Sequence, residues 1–210
     1  MIRPPERLAE RDAAIAAMLP HVPFDGWSKR ALRRALADIG APADQADWLF
    51  PGGAVEMVET FCDLSDRRMQ QAAAELDMTA LRLPQRVRAI VALRLAQNRP
   101  CKEAVRRALS LLALRGGARV AGACTARTVD AIWHAAGDMS ADFSWYTKRA
   151  ILASVYTATL LFWLRDTSEE DADTLAFLDR RLAEVGRFTK ARRRVETAMG
   201  RLVPPRLRSA

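Results

Sequence analysis

The residues that most often perform catalysis or bind metals are few in this chain and widely separated. Histidine occurs only at His21 and His134, and neither lies in an HExxH or ExxH pattern that could hold zinc or a di-iron pair. The cysteines, Cys62, Cys101 and Cys124, form no CxxC pair, and no serine or cysteine has a visible general base. The sequence therefore predicts a protein that is not an enzyme and that uses no metal or cofactor.

The composition restricts the class of protein but leaves its partner open. The 210 residues include 33 Lys and Arg against 25 Asp and Glu. The resulting net charge of +8 suits nucleic acid, an anionic membrane surface or an acidic protein. An odd number of cysteines argues against a disulfide framework, and the first residues contain no secretory signal. A reducing, cytoplasmic compartment is therefore expected.

The most apolar element that the sequence predicts is a helix over residues 142–166. Between residues 150 and 164 no side chain is charged, and apolar residues fall on almost every helical face. The run is shorter than the about 20 apolar residues that a membrane span requires. We therefore expect a helix that is buried on all sides in the protein body or lines a deep apolar cavity. Asp142 is its predicted N-cap, and Ser168 with Asp171 predicts a capping box for the next helix.

The remaining segments also have helical periodicity, and none alternates with period two as a strand would. Further helices are predicted over residues 5–19, 28–39, 42–49, 54–76, 84–98, 100–114, 118–136 and 168–186. About ten helices joined by short loops predict an all-α bundle. Three parts follow: a helix-turn-helix-like N-terminal part (1–50), a larger helical domain (51–186), and a basic amphipathic C-terminal helix and tail (187–210).

The C-terminal helix has one apolar and one basic face, which is typical of binding to a membrane surface. The residues that would make this contact are Phe188, Val195, Met199 and Leu202 on the apolar face, and Lys190, Arg193 and Arg194 opposite, with Arg192 at the border. An alternative of about equal weight is that the apolar face of this helix packs against the protein body.

The segments at residues 28–39 and 42–49 have the arrangement of a helix-turn-helix. The second segment, which would enter the major groove of DNA, carries Asp44 and Asp47 and no Lys or Arg. Carboxylates repel phosphates, and the basic side chains that usually contact guanine are missing there. The sequence therefore predicts a helix-turn-helix shape without nucleic acid as a partner.

Stretches in both halves of the chain resemble the Coq nine family of coenzyme-Q-biosynthesis accessory proteins. The resemblance lies in GDMSADFSWYTKRAILASVYTATLLFWLRDTS (137–168) with TLAFLDRRL (174–182), and in LPHVPFDGWS (19–28) and LFPGGAVEMVETFCDLSDRRM (49–69). It covers residues 21–187. This chain has Glu-Glu-Asp-Ala after Ser168, where the family commonly has Glu-Asp-Phe, so one aromatic anchor is lost.

The resemblance implies a fold like that of TetR regulators in a homodimer that does not regulate transcription. It implies a non-enzymatic protein of ubiquinone biosynthesis that binds isoprenoid quinone precursors and presents them to the di-iron demethoxyubiquinone hydroxylase. The C-terminal helix would place it peripherally at the inner membrane. A TetR-type transcriptional regulator with an apolar effector pocket remains the alternative.

The resemblance also implies a partner-binding patch, which matches Asp130, Trp145 and Tyr146 in this sequence. Without the resemblance, a core position would be favoured for Trp145 at a helix start, and the resemblance favours the interface instead. The apolar residues predicted to contact the lipid form a larger set: Val58, Phe61, Cys62, Ile90, Leu93, Leu112, Ile151, Val155, Tyr156, Thr159 and Leu160.

Overall fold

A computed structural model describes residues 4–114, 116–138 and 144–202, with the side chains of residues 145–187 in the last range. The α-helices are α1 (Ala9–Met18), α2 (Val22–Asp25), α3 (Lys29–Asp38), α4 (Ala46–Leu49), α5 (Gly53–Ala74), α6 (Leu83–Asn98), α7 (Lys102–Leu112), α8 (Ala118–Ala135), α9 (Ser144–Trp163) and α10 (Ala172–Leu202). Short 3-10 turns cover Ala43–Gln45, Arg99–Cys101 and Glu169–Asp171. No strand occurs within these described residues, and the all-α prediction is confirmed. The predicted N-cap Asp142 lies outside them.

The helix-turn-helix-like part and the larger helical part share one hydrophobic core. Helix α1 packs on both α3 and α5. Trp27, at the start of the α3 segment, contacts the Phe61 ring of α5 with centroids 5.3 Å apart. Its indole Nε1 donates a hydrogen bond of 3.0 Å to the carbonyl oxygen of Ala104 in α7. Trp27 therefore ties the first three helices to the body.

The boundaries of α3 follow from its end residues. The Ser28 hydroxyl oxygen accepts a hydrogen bond of 3.2 Å from the backbone N–H of Ala31, which caps the helix as its sequence predicts. At the other end Gly40 has φ of 70°, a left-handed conformation that costs glycine little and that stops the helix.

Of the two alternatives predicted for the most apolar helix, burial on all sides was wrong, whereas residues of this helix do line an apolar cavity. Helix α9 contributes Leu152, Val155 and Trp163 to the core, but its other face is open to solvent. Leu161 is 53% exposed and Phe162 is 36% exposed on that open face. The error arises because a uniformly apolar helix predicts burial without saying whether the body or another molecule provides it.

The turn between α9 and α10 is fixed by Asp166, and not by the predicted capping box of Ser168 and Asp171. The Asp166 carboxylate accepts hydrogen bonds from the backbone N–H groups of Ser168 and Thr174, both at 2.8 Å, and from both hydroxyls. Burial alone would raise the pKa of Asp166, but these four hydrogen bonds lower it far below its usual range. Asp171 instead pairs with Arg99 and Lys102.

Helix α10 is longer than the sequence predicts. The break expected near residue 186 is absent, and one helix continues from Ala172 to Leu202. The predicted membrane-contact residues belong to its second half. Their side chains, those of Phe188, Lys190, Arg192, Arg193, Arg194, Val195, Met199 and Leu202, lie outside the side chains that the structure describes, and residues 203–210 lie outside it altogether.

One ion pair is enclosed between the central helices. Arg94 of α6 lies 3.1 Å from a carboxylate oxygen of Asp66 in α5, and both side chains are buried. The hydroxyl of Thr128 in α8 donates to the same carboxylate at 3.0 Å. Burial raises the pKa of Asp66, an effect that Arg94 and Thr128 partly offset. Three helices therefore meet at a charged contact inside the core.

Candidate functional site

An apolar cavity of about 390 Å³ lies between α6, α8, α9 and α10. Its lining is Leu83, Pro84 and Val87 of α6, Trp133 of α8, Lys148, Ile151, Leu152 and Val155 of α9, and Leu182, Val185 and Gly186 of α10. Val87, Leu152 and Val155 are buried and form the floor, whereas Pro84 and Gly186 are exposed and form the rim. This volume and lining suit part of an apolar ligand.

Two lining side chains carry polar groups. The Lys148 ammonium lies 3.3 Å from a carboxylate oxygen of Asp138 and 5.9 Å from the centre of the Trp133 ring. The indole Nε1 of Trp133 is shielded from water and has no hydrogen-bond partner among the residues that the structure describes. Both are hydrogen-bond donors, the kind of group that an oxygen atom of a ligand accepts from.

Of the eleven residues predicted to contact lipid, Ile151 and Val155 line this cavity. The others belong to the packed core or to its margin: Val58, Phe61, Ile90, Leu112, Tyr156 and Thr159 are buried, and Cys62, Leu93 and Leu160 are partly buried against them. Burial raises the pKa of Tyr156 to about 12. The hydrogen bond between Cys62 and Cys124, together with burial, raises the pKa of the Cys62 thiol. Both side chains are thus neutral.

The three residues of the predicted partner-binding patch lie together on the surface. Arg149 joins them, because its guanidinium donates to Asp130 at 2.8 and 2.6 Å and lies 3.8 Å above the Trp145 ring. The Trp145 and Tyr146 rings touch edge to face with centroids 4.7 Å apart. Tyr146 is 73% exposed, and Trp145 is outside the core. We call Asp130, Trp145, Tyr146 and Arg149 the aromatic patch.

The aromatic patch adjoins the cavity along α9. Trp145 and Lys148 are three positions apart, so they are neighbours on the helix surface. Ile151, three positions beyond Lys148, also lines the cavity. Sequence reasoning missed Arg149, Lys148 and Trp133, although the positively charged pair after the aromatic residues was visible as a signal.

A second, more open groove lies between α7, α9 and α10. It is lined by Leu109, Leu161 and Phe177 among others, and its volume is about 640 Å³. The rings of Phe162 and Phe177 stack across the two last helices, with centroids 4.6 Å apart and planes 8° apart. This groove, whose mainly apolar lining also includes Arg106, Ser110 and Arg165, adjoins the open face of α9.

On the helix-turn-helix-like surface, basic side chains form ion pairs with an acidic side chain of the second helix. Helix α4 contains four residues, and its Asp47 pairs with Lys29 and Arg33 of α3 at 3.0 and 3.2 Å. The Lys29 hydrogen bond is the main cause of the lowered pKa of Asp47, so this residue remains a carboxylate. Lys29 and Arg33 of α3 are thus already paired with a carboxylate.

Neither metal-ligand clusters nor membrane spans were detected in the part of the chain that the structure describes. No three His, Cys, Asp or Glu side chains are grouped there as metal ligands. None of the described helices combines the length and the apolar character that crossing a bilayer requires. His21 lies 2.5 Å from the exposed Asp38 carboxylate, on the surface of the N-terminal part.

The cavity and the aromatic patch are built largely from the region that a family model matches. The COQ9 model matches residues 118–189, which contain α8, α9 and the first half of α10. The rat ubiquinone biosynthesis protein COQ9, mitochondrial, is 33% identical over 80% of this chain, and the human protein is 32% identical over 80%. The chain belongs to the COQ9 family.

Two further comparisons limit what COQ9 membership conveys. The chain spans 56% of the rat protein, 55% of the human protein and 62% of COQ9-B from Xenopus laevis, which is 33% identical over 85% of this chain. A TetR transcriptional regulator from Nitrosomonas europaea has the same fold, with a TM-score of 0.67 at 22% identity. That match covers 83% of this chain and 97% of the regulator, and it confirms the predicted TetR-like architecture.

Proposed function

We propose that this chain is a non-enzymatic accessory protein of ubiquinone biosynthesis that binds isoprenoid quinone precursors in the cavity between α6, α8, α9 and α10. The pathway in this proposal, ubiquinone biosynthesis, is taken from the names of the rat and human relatives. The single observation that carries the proposal is the position of an apolar cavity beside the exposed aromatic patch, both within the region that matches the family. The ligand would thus be held next to a surface suited to an enzyme.

Desolvation gives the reason for such a protein. Each CH2 group of an isoprenoid tail that is moved into water costs about 0.8 kcal/mol, so a quinone precursor leaves a membrane slowly. The buried floor of Val87, Leu152 and Val155 replaces part of that lipid environment. Trp133 and Lys148 offer hydrogen-bond donors to the oxygen atoms of the head group. The nine predicted lipid contacts outside the cavity would reach the ligand only after the helices separate.

We further propose that the di-iron demethoxyubiquinone hydroxylase docks on the aromatic patch. An exposed tyrosine beside a half-buried tryptophan is the composition of an interface anchor. Lys148 lies one helical turn from Trp145, so a docked enzyme would face the end of the cavity where the head group binds. The basic second half of α10 would hold the protein peripherally on the inner membrane, in the cytoplasm.

Filling the cavity is expected to remove the bound lipid while the fold remains intact. Leu182 is partly exposed, so the indole of Leu182→Trp can occupy the cavity without displacing the buried floor. Native mass spectrometry of protein purified from ubiquinone-producing cells, with lipid extraction, measures occupancy. Wild-type protein should carry about one isoprenoid lipid per chain, and Leu182→Trp should carry less than about a tenth of that, because several buried CH2 groups are lost.

The control is Ala183→Trp, which places the same indole on the exposed side of α10. It should retain wild-type occupancy. An isoprenoid lipid bound equally to both variants would contradict this location of the site. Wild-type protein purified without any apolar lipid, and unable to take one up from vesicles, would contradict the proposed function itself.

The open face of α9 leads us to propose that the protein is a homodimer paired through α9 and α10. Leu161→Lys places a charge in that face and is expected to convert the dimer to a monomer, because an interfacial ammonium beside Arg106 and Arg165 of the same groove loses its hydration without gaining an acidic partner. Multi-angle light scattering gives the mass, against 23.3 kDa for one chain. Leu76→Lys, at an exposed leucine of the segment after α5, should remain dimeric. A monomeric wild-type protein would contradict the proposal.

A further inference from the structure

We infer that the isoprenoid tail leaves the cavity through a gap at Gly186 of α10, so that the size of residue 186 determines which tail lengths the protein accepts. The inference rests on the proposed function, because it requires that the cavity holds an isoprenoid lipid. It adds a specific exit and a residue that controls it.

The size of the cavity requires an exit for a long tail. Its volume of about 390 Å³ lies near the lower limit for pockets that hold ligands of drug size. Such a space takes a ring and a short tail, whereas a tail of many isoprene units exceeds it. The remaining units must therefore leave the cavity and follow an apolar path outside it.

The burial of the lining residues indicates where the cavity is open. Val87, Leu152 and Val155 are buried and close the inner end. Pro84 and Gly186 are exposed, so the opening lies between the start of α6 and the middle of α10. A ligand that enters or leaves along the shortest path passes these two residues.

Gly186 occupies a position where the helix pattern calls for an apolar side chain. Leu178 is fully buried, Leu182 and Val185 line the cavity, and residue 186 continues this stripe at the spacing of i and i+4. A Cβ atom built on Gly186 meets no other atom within 4 Å, so the structure has space for a side chain there. Glycine also weakens a helix interior relative to alanine. Its presence leaves the cavity open at this point.

The direction of α10 beyond Gly186 fits the path of a tail. The helix continues for four turns to Leu202, and the sequence of that segment has the apolar stripe and basic face of a membrane-contacting helix. A tail that passes Gly186 would thus run from the cavity towards the bilayer without crossing water. Pro84 on the opposite rim leads only to the exposed start of α6.

The test compares Gly186→Leu with Ala183→Leu, which adds the same side chain to the exposed face of α10. Two probes share one neutral quinone head group and carry either two or eight isoprene units. Binding from mixed micelles is followed by quenching of tryptophan fluorescence, to which Trp133 in the cavity wall contributes. Circular dichroism during heating measures the stability of each variant.

We expect Gly186→Leu to bind the short probe as wild type does and the long probe about tenfold more weakly, because closing the gap exposes two or more CH2 groups. The melting temperature should rise, since leucine is the better helix former. Ala183→Leu should bind both probes normally. Unchanged binding of the long probe to a folded Gly186→Leu overturns the exit at Gly186 and leaves the proposed function standing. Wild-type protein that binds neither probe overturns both.

Discussion

Replacing Asp66 with leucine is expected to reduce the free energy of unfolding by about 3–5 kcal/mol, since it leaves the buried Arg94 guanidinium without its partner. Small domains have only about 5–15 kcal/mol of stability in total. Arginine does not lose its charge inside a protein, so deprotonation of Arg94 cannot remove the cost of burying an unpaired charge. The Thr128 hydroxyl loses its acceptor in the same substitution.

The complementary change, Arg94→Met, should cost less and should depend on pH. Burial already raises the pKa of Asp66, and removing Arg94 raises it further. A carboxyl group whose pKa is higher in the folded than in the unfolded protein stabilises the fold below the unfolded pKa of about 3.9, and that contribution is lost as the pH rises through the folded pKa. The deficit of Arg94→Met should therefore be smallest in acid and largest near neutral pH.

Urea denaturation at several pH values measures these effects, and the double variant Asp66→Leu/Arg94→Met separates charge from packing. With both charges gone, the double variant should recover to within about 1 kcal/mol of wild type or exceed it. As control, Asp179→Leu breaks the exposed pair with Arg88 and should cost less than about 1 kcal/mol. Equal losses for Asp66→Leu and Asp179→Leu would show that the enclosed pair has no special energetic role.

The second large effect is expected at the aromatic patch. Trp145→Lys should raise the dissociation constant for the demethoxyubiquinone hydroxylase at least about thirtyfold, the equivalent of about 2 kcal/mol for an aromatic anchor. The substitution removes the ring under Arg149 and places a second cation beside it. Because Trp145 lies outside the hydrophobic core, the melting temperature should change little.

Surface-immobilised protein titrated with the hydroxylase gives the dissociation constant, and Thr147→Lys provides a control with the same charge at a neighbouring exposed position. Arg149→Met should weaken binding less than Trp145→Lys, because it removes the contact that positions Trp145 but keeps the ring. Unaltered hydroxylase binding by Trp145→Lys would remove the aromatic patch from the proposed function and leave lipid binding to be judged by the cavity variants.

The helices were predictable because each carries its own local signals. Ser28 and Gly40 mark the ends of α3 in the sequence, and the structure has the helix between them. The cap of α10 was not predictable in the same way. Ser168 and Asp171 have the spacing of a capping box, but Asp171 forms ion pairs with Arg99 and Lys102, which are distant in sequence. A tertiary ion pair thus prevailed over a local pattern.

The candidate site was predictable only in part for a similar reason. Asp130, Trp145 and Tyr146 came from the family resemblance, and the structure brings them together through Arg149, a contact between α8 and α9 that no local pattern reveals. The cavity depends on the spacing of four helices. Helical periodicity identifies apolar residues but does not separate those that pack from those that face an empty space.

The turn at Asp166 has a mechanical consequence for the two last helices. It clamps α9 to α10 at one end, with Lys102 donating to the Asp166 carbonyl oxygen at 2.7 Å and lying over the Trp163 ring. The cavity lies towards the opposite ends, since Ile151 is about 18 Å along α9 from Trp163 at a rise of 1.5 Å per residue. The two helices are therefore fixed to each other at the Asp166 end, and a rotation about that end would change their separation at the cavity. Rotation by about 10° about the fixed end would part the two helices by about 3 Å at that distance, which is most of the about 3.5–4.0 Å between carbon atoms in van der Waals contact.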